Sequence, residues 1–125
     1  MVEDVLEALK RTWEAGDAPG AAKLYLENAT YEDGVGRQGT LLRGRVAIRK
    51  AIEEMFAVRD PRFTVTSMFS IGARGAAEWT FSWADSKDGS RLEIHGASVF
   101  DFRDGLVASE TSYYDPVPAP VPPAA

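Results

Sequence analysis

With 125 residues, of which 45% are hydrophobic and 26% charged, the chain has the size and composition of one domain with its own core. Its net charge of −5, from 19 acidic against 14 basic residues, excludes the basic surface that nucleic-acid phosphates demand. The absence of cysteine excludes disulfides, zinc–thiolate sites and a thiol nucleophile, and it fits a cytoplasmic location. No apolar run reaches the roughly 18 residues of a membrane span, and the acidic start Met1-Val2-Glu3-Asp4 carries no apolar stretch of signal length.

In chain order, Val5, Leu6, Leu9 and Trp13 form one apolar stripe and predict a helix over 3–15. Glu3, Asp4 and Glu7 favour its positive end, and Gly16 ends it. Asp17 reads as the N-cap of a second helix, with Pro19 in its first turn, running to Tyr25 or Leu26. Ala29 to Asp33 predicts a short strand, and Gly34 to Arg43 a glycine-bearing loop. A third helix is expected from Gly44 to Val58, with Ile48, Ile52, Met55 and Phe56 on one face. Asp60-Pro61 stops it.

Beyond Pro61 the period changes to two. A strand runs from Phe63 to Gly72. The next, Ala77 to Trp83, places Trp79, Phe81 and Trp83 on one face against Glu78, Thr80 and Ser82 on the other. Ser86 to Ser90 is a hairpin turn. Leu92 to Phe102 is a long strand, with Leu92, Ile94, Gly96, Ser98, Phe100 and Phe102 on one face. After the turn at Arg103-Asp104-Gly105, the last strand spans Leu106 to Asp115. Five of the seven prolines fall in Pro116 to Pro123, so residues 116–125 are expected to be a disordered Pro/Ala-rich tail that stays off any sheet. Residues 1–115 form the domain. The expected architecture is α+β: three N-terminal helices packed on a strongly curved antiparallel sheet, a cystatin-like cone with an apolar hollow.

Four phrases in this order and spacing carry a resemblance: Ala15-Gly16-Asp17; Leu24-Tyr25-Leu26-Glu27-Asn28-Ala29-Thr30-Tyr31-Glu32-Asp33; Gly44-Arg45-Val46-Ala47-Ile48-Arg49; and Phe100-Asp101-Phe102-Arg103-Asp104-Gly105-Leu106-Val107. The chain resembles the nuclear-transport-factor-like superfamily, which includes SnoaL-like proteins and ketosteroid isomerase. Around Glu32-Asp33-Gly34-Val35-Gly36 the resemblance to ketosteroid isomerase implies that Asp33 is a general base moving a proton between carbons next to a carbonyl. That enzyme holds its enolate with a tyrosine and a protonated aspartic acid. The matching positions here are Leu9, which donates nothing, and Ser98, a weak donor. The last strand, Glu110 to Pro116, resembles SnoaL-like cyclases and limonene epoxide hydrolase-like members. The hydrolase's strand aspartate is Ser112 here, and no arginine lies within Leu92 to Phe102, which argues against hydrolase chemistry.

Two functional readings stay open: an isomerase- or cyclase-type enzyme with Asp33 as base, and a non-catalytic ligand-binding or dimerisation module. Read alone, Glu32-Asp33-Gly34 suits a plain turn; within the cone, Asp33 is expected to face the cavity. In either reading the ligand is a small apolar organic molecule, expected to meet Trp13, Tyr31, Phe56, Trp79, Phe81, Ser98, Phe100, Glu110 and Tyr114. For Glu110 the alternative is a solvated strand face, and for Tyr31 and Trp13 simple packing. His95, the sole histidine, falls on the outer face by parity, so no imidazole-built metal cluster is expected, nor any other cofactor. The small, moderately apolar outer sheet face (Thr80, Ser82, Ala97, Val99) points, with the resemblance, to a homodimer.

Overall fold

The computed structural model describes residues 2–33 and 41–122. Helix α1 (Val2–Glu14) buries Val5, Leu6 and Leu9, the expected stripe. Helix α2 (Ala18–Ala22) is capped by Asp17, whose Oδ1 accepts the Gly20 N–H at 3.0 Å. It is shorter than expected. Tyr25 and Leu26 open a nine-residue strand β1 (Tyr25–Asp33) instead of closing the helix. The cause is non-local: the Val107 N–H donates to Leu24 O at 2.8 Å, and Tyr25 pairs with Val107. Of the expected loop, residues 34–40 lie outside the described residues, while Leu41–Arg43 forms a strand, β2, antiparallel to β1. Helix α3 (Arg45–Met55) buries Ile48 and Ile52, and it ends three residues earlier than expected, with Phe56 as its C-cap.

Four long strands follow: β3 (Arg62–Ile71), β4 (Arg74–Ala84), β5 (Arg91–Arg103) and β6 (Leu106–Tyr114). They form the predicted antiparallel meander. The β5–β6 turn has left-handed backbone at Asp104 (φ 55°) and Gly105 (φ 74°), the conformation that an Asp-Gly pair adopts most readily in a tight hairpin. The sheet runs β2-β1-β6-β5-β4-β3, and β1 joins β6 in parallel. The sheet is therefore mixed, not wholly antiparallel. The helices lie on its concave face, giving the expected α+β architecture.

The tail corrects the expectation that it stays off the sheet. Strand β6 pairs with β5 only from Gly96 onward, which leaves the start of β5 bare on that side. Ala119–Pro120, strand β7, fills that gap opposite Glu93 and Leu92, and the Val121 N–H donates to Arg91 O at 2.9 Å. Proline is tolerated because this is a short sheet edge, where a missing N–H costs little.

One core cluster joins α1, α2 and α3 to β1, β4, β5 and β6 through residues such as Leu6, Tyr25, Ile52, Phe102 and Val107. Each such fully buried side chain stabilises by about 1.5–3 kcal/mol. The helices do not fill the concave face completely, and the remaining space is the candidate site.

Candidate functional site

The cavity has a volume of about 300 Å³ and lies between α1, the end of α3 and strands β3 to β6. Alternation along β4 directs Ala77, Trp79, Phe81 and Trp83 inward, and on β5 it brings Ile94, Ser98 and Phe100 to the same face. Helix α1 adds Leu6, Leu9 and Trp13, one turn apart. The aromatic wall is continuous: Phe63 lies 5.0 Å from Trp13 and stacks on Trp79 at 5.4 Å, centroid to centroid.

Three of the polar lining groups, Glu110, Ser112 and Tyr114, share one face of β6, and Lys10 of α1, Tyr31 of β1 and Ser98 of β5 are the others. Glu110 is only 5% exposed. Its Oε1 accepts the Tyr25 hydroxyl from β1, and Ser112 Oγ donates to its Oε2 at 3.3 Å. Ser112 lies 2.8 Å from Ser98 Oγ, which accepts the Trp79 indole N–H at 3.0 Å. An indole can only donate. The chain therefore has one consistent direction, from Trp79 through Ser98 and Ser112 to Glu110. Burial pushes the Glu110 carboxyl above the usual carboxylate range, against the hydrogen bonds of its neighbours, that of Tyr25 first, which lower it. Burial, and then the Glu110 charge, raises Tyr25 and Tyr31 as well.

This chain depends on Gly96. A Cβ there would sit 2.5 Å from Trp79 Cζ2 and 2.9 Å from Tyr113 O. Gly96→Ala is expected to push the indole off Ser98 and cost about 1–3 kcal/mol through overpacking. Denaturant unfolding followed by tryptophan fluorescence checks this; an unchanged midpoint and spectrum would contradict it.

The structure brings most of the sequence-predicted residues together. Trp13, Tyr31, Trp79, Phe81, Ser98, Phe100, Glu110 and Tyr114 all line the cavity. Glu110 is thus not on a solvated face. Phe56 is a correction: it stands behind the wall, 5.8 Å from Phe81 and 6.1 Å from Trp13, because α3 ends at Met55 and turns it away. Asp33 is half-buried at the end of β1, with Ser112 as its register partner on β6. It is not part of the cavity wall. Its Oδ2 accepts the hydroxyl of Tyr114, which is. Burial, followed by the Asp33 bond and charge, pushes the Tyr114 phenol up to about 12.

The sequence reading left out Tyr25, Ser112, Phe63 and Met55 as site residues. Ser112 and Phe63 were within reach of the alternation rule, since each has the parity of inward neighbours. Tyr25 was not, because its strand was read as helix. His95 is exposed on the outer face, with its Nε2 2.6 Å from a carboxylate oxygen of Glu93. Among the described residues no three His, Cys, Asp or Glu side chains gather as metal ligands.

The model of the SnoaL-like domain family matches residues 5–110. A comparison with curated proteins found no match. Similar solved structures include a protein with a ketosteroid isomerase-like fold from Catenulispora acidiphila, in complex with trimethylamine. It shares 17% identity and a TM-score of 0.78, over 93% of this chain and 88% of that one. An M. tuberculosis epoxide hydrolase of the limonene epoxide hydrolase-like type matches at 17% identity and TM-score 0.72, over 90% and 80%. A candidate polyketide cyclase from Pseudomonas putida matches at 22% identity and TM-score 0.74, over 93% and 92%. At these identities the likeness is one of fold.

Proposed function

This chain belongs to the SnoaL-like domain family, and we propose that its cavity holds a small apolar carbonyl compound and moves a proton between carbons next to the carbonyl. In this reading Asp33 is the base. It takes a proton from the α-carbon, and the dienolate regains that proton at the γ-carbon, two bonds along, which moves the double bond into conjugation. Glu110 in its neutral form gives the carbonyl oxygen a hydrogen bond. One observation carries the reading: a single buried carboxyl group at the polar floor of a mostly apolar cavity, whose one basic lining residue is Lys10. A neutral acid donates where a carboxylate only accepts. Oε2, held by Ser112 at 3.3 Å, is the less firmly bound oxygen and the one free to turn its proton to a ligand. Leu9 lines the cavity as hydrocarbon, and the Ser98 hydroxyl is engaged by Trp79 and Ser112. Glu110 then does what those two positions do not.

The test is deuterium exchange from D₂O into the α-position of a β,γ-unsaturated ketone, followed by NMR. Exchange and conjugation of the double bond are expected. A second reading, a non-catalytic ligand-binding module, draws support from Asp33 standing outside the cavity wall. It predicts ligand-induced stabilisation without exchange.

A homodimer formed through the outer sheet face, and a cytoplasmic location, belong to the same proposal. Phe69, Ile71 and Tyr113, which are 60%, 80% and 51% exposed, support the first: alternation and register put them on that face, and apolar side chains so exposed commonly mark an interface. Light scattering at micromolar concentration should return twice the monomer mass; a monomer mass would overturn the dimer.

A further inference from the structure

A second, smaller cavity of about 70 Å³ lies beneath α3, against Leu42, Ile48, Ala51 and Ile52. It shares Trp13, Tyr31 and Met55 with the main cavity. These three side chains are therefore the partition between the two spaces, and they are not equally fixed. Trp13 is wedged between Phe63 at 5.0 Å and Phe56 at 6.1 Å. Tyr31 sits on a strand paired on both sides, opposite Leu42 and Glu110. Met55 is the last residue of α3 and half-buried. Its side chain is unbranched, with three rotatable bonds and a thioether that adapts to irregular gaps. Of the partition it is the part that can move.

We infer that the smaller cavity is a subsite for a short alkyl branch of the ligand, and that Met55 determines which ligands fit by controlling entry to it. This rests on the reading of the main cavity as a small-molecule site. The volume admits about two methylene-sized groups, taking the ~30 Å³ that a water molecule occupies in the liquid as the yardstick. Its walls are hydrocarbon apart from the Trp13 indole N–H and two tyrosine hydroxyls, and that of Tyr25 is already given to Glu110. A charged or strongly polar branch would lose its hydration there without replacement partners, so the branch is apolar.

The test is calorimetric titration of a homologous series of straight-chain methyl ketones into the wild type, Met55→Ala and Met55→Phe. Opening the partition in Met55→Ala should move the preferred chain length up by about two methylenes, with the longer members tightened about fourfold per methylene. Met55→Phe, stiffer and bulkier, should move the preferred length down, and it keeps the test decisive if the alanine variant does not fold. A preferred length that stays the same in the variants overturns the subsite alone. A wild type that binds no member of the series removes the main-cavity reading, and the subsite with it. The titration needs no turnover, so a chain without catalysis leaves it intact.

Discussion

Asp33→Asn is expected to lower kcat for isomerisation of a β,γ-unsaturated ketone by about 10²- to 10⁴-fold, the usual contribution of a positioned base. An amide cannot take the α-proton. It can still accept the Tyr114 hydroxyl that Asp33 now accepts, so the strand end should keep its place and the melting temperature should barely move. Unchanged stability with lost turnover is the signature of a chemical role. A variant that keeps full activity would remove Asp33 from the mechanism and make Tyr114 its structural partner only.

Glu110→Gln is expected to move activity and stability in opposite directions. The rate should fall, but by less than the roughly 10²- to 10³-fold that loss of an oxyanion donor commonly costs, because the Gln amide N–H still donates and is only less acidic than a carboxylic acid. The stability change follows from linkage. Burial holds the folded-state pKa of Glu110 above its ordinary value of 4.5, so the folded protein binds that proton more tightly than the unfolded chain does. The favourable contribution is complete below 4.5 and is lost as pH rises through the folded value. The Gln variant does not titrate there. Its stability should match the wild type's trend in acid, pull ahead as pH rises from 4.5 through the folded value, and keep a constant margin above that. Urea unfolding at a series of pH values reads this directly. A gain independent of pH would mean that packing, not desolvation of a charge, is what the substitution relieves. A rate that survives would mean that an amide N–H serves the oxyanion as well as the acid does, and that the acidity of Glu110 plays no part.

The legible parts of the site are those that depend on local pattern. Trp79, Phe81 and Trp83 were placed on one face by alternation, and they line the cavity together. The apolar stripe Val5, Leu6, Leu9 was readable from helical spacing and is the buried face of α1. His95 was placed outside by parity and is exposed there. Phe56 failed the same kind of reasoning because a helix face extrapolates only as far as the helix, and α3 stops one residue before it. The tail failed because its proline content, which argues against central strands, does not prevent it from covering a short bare stretch of β5.

The sequence by itself determined the α+β order, the amphipathic faces and the inward parity of most cavity residues. These depend on the 3.6- and 2-residue periods that every helix and strand imposes on its own side chains. Only the tertiary structure decided which carboxyl group the cavity encloses. Parity puts Glu110 on a face but does not say what covers that face. Its burial depends on β1 pairing in parallel with β6 and bringing the Tyr25 hydroxyl across 85 positions of sequence. The same pairing leaves Asp33, for all its inward parity, at a strand end behind Tyr114. Long-range pairing leaves no local periodic trace, so the chain displays both acids openly while the fold alone assigns one to the sealed floor and the other to the rim.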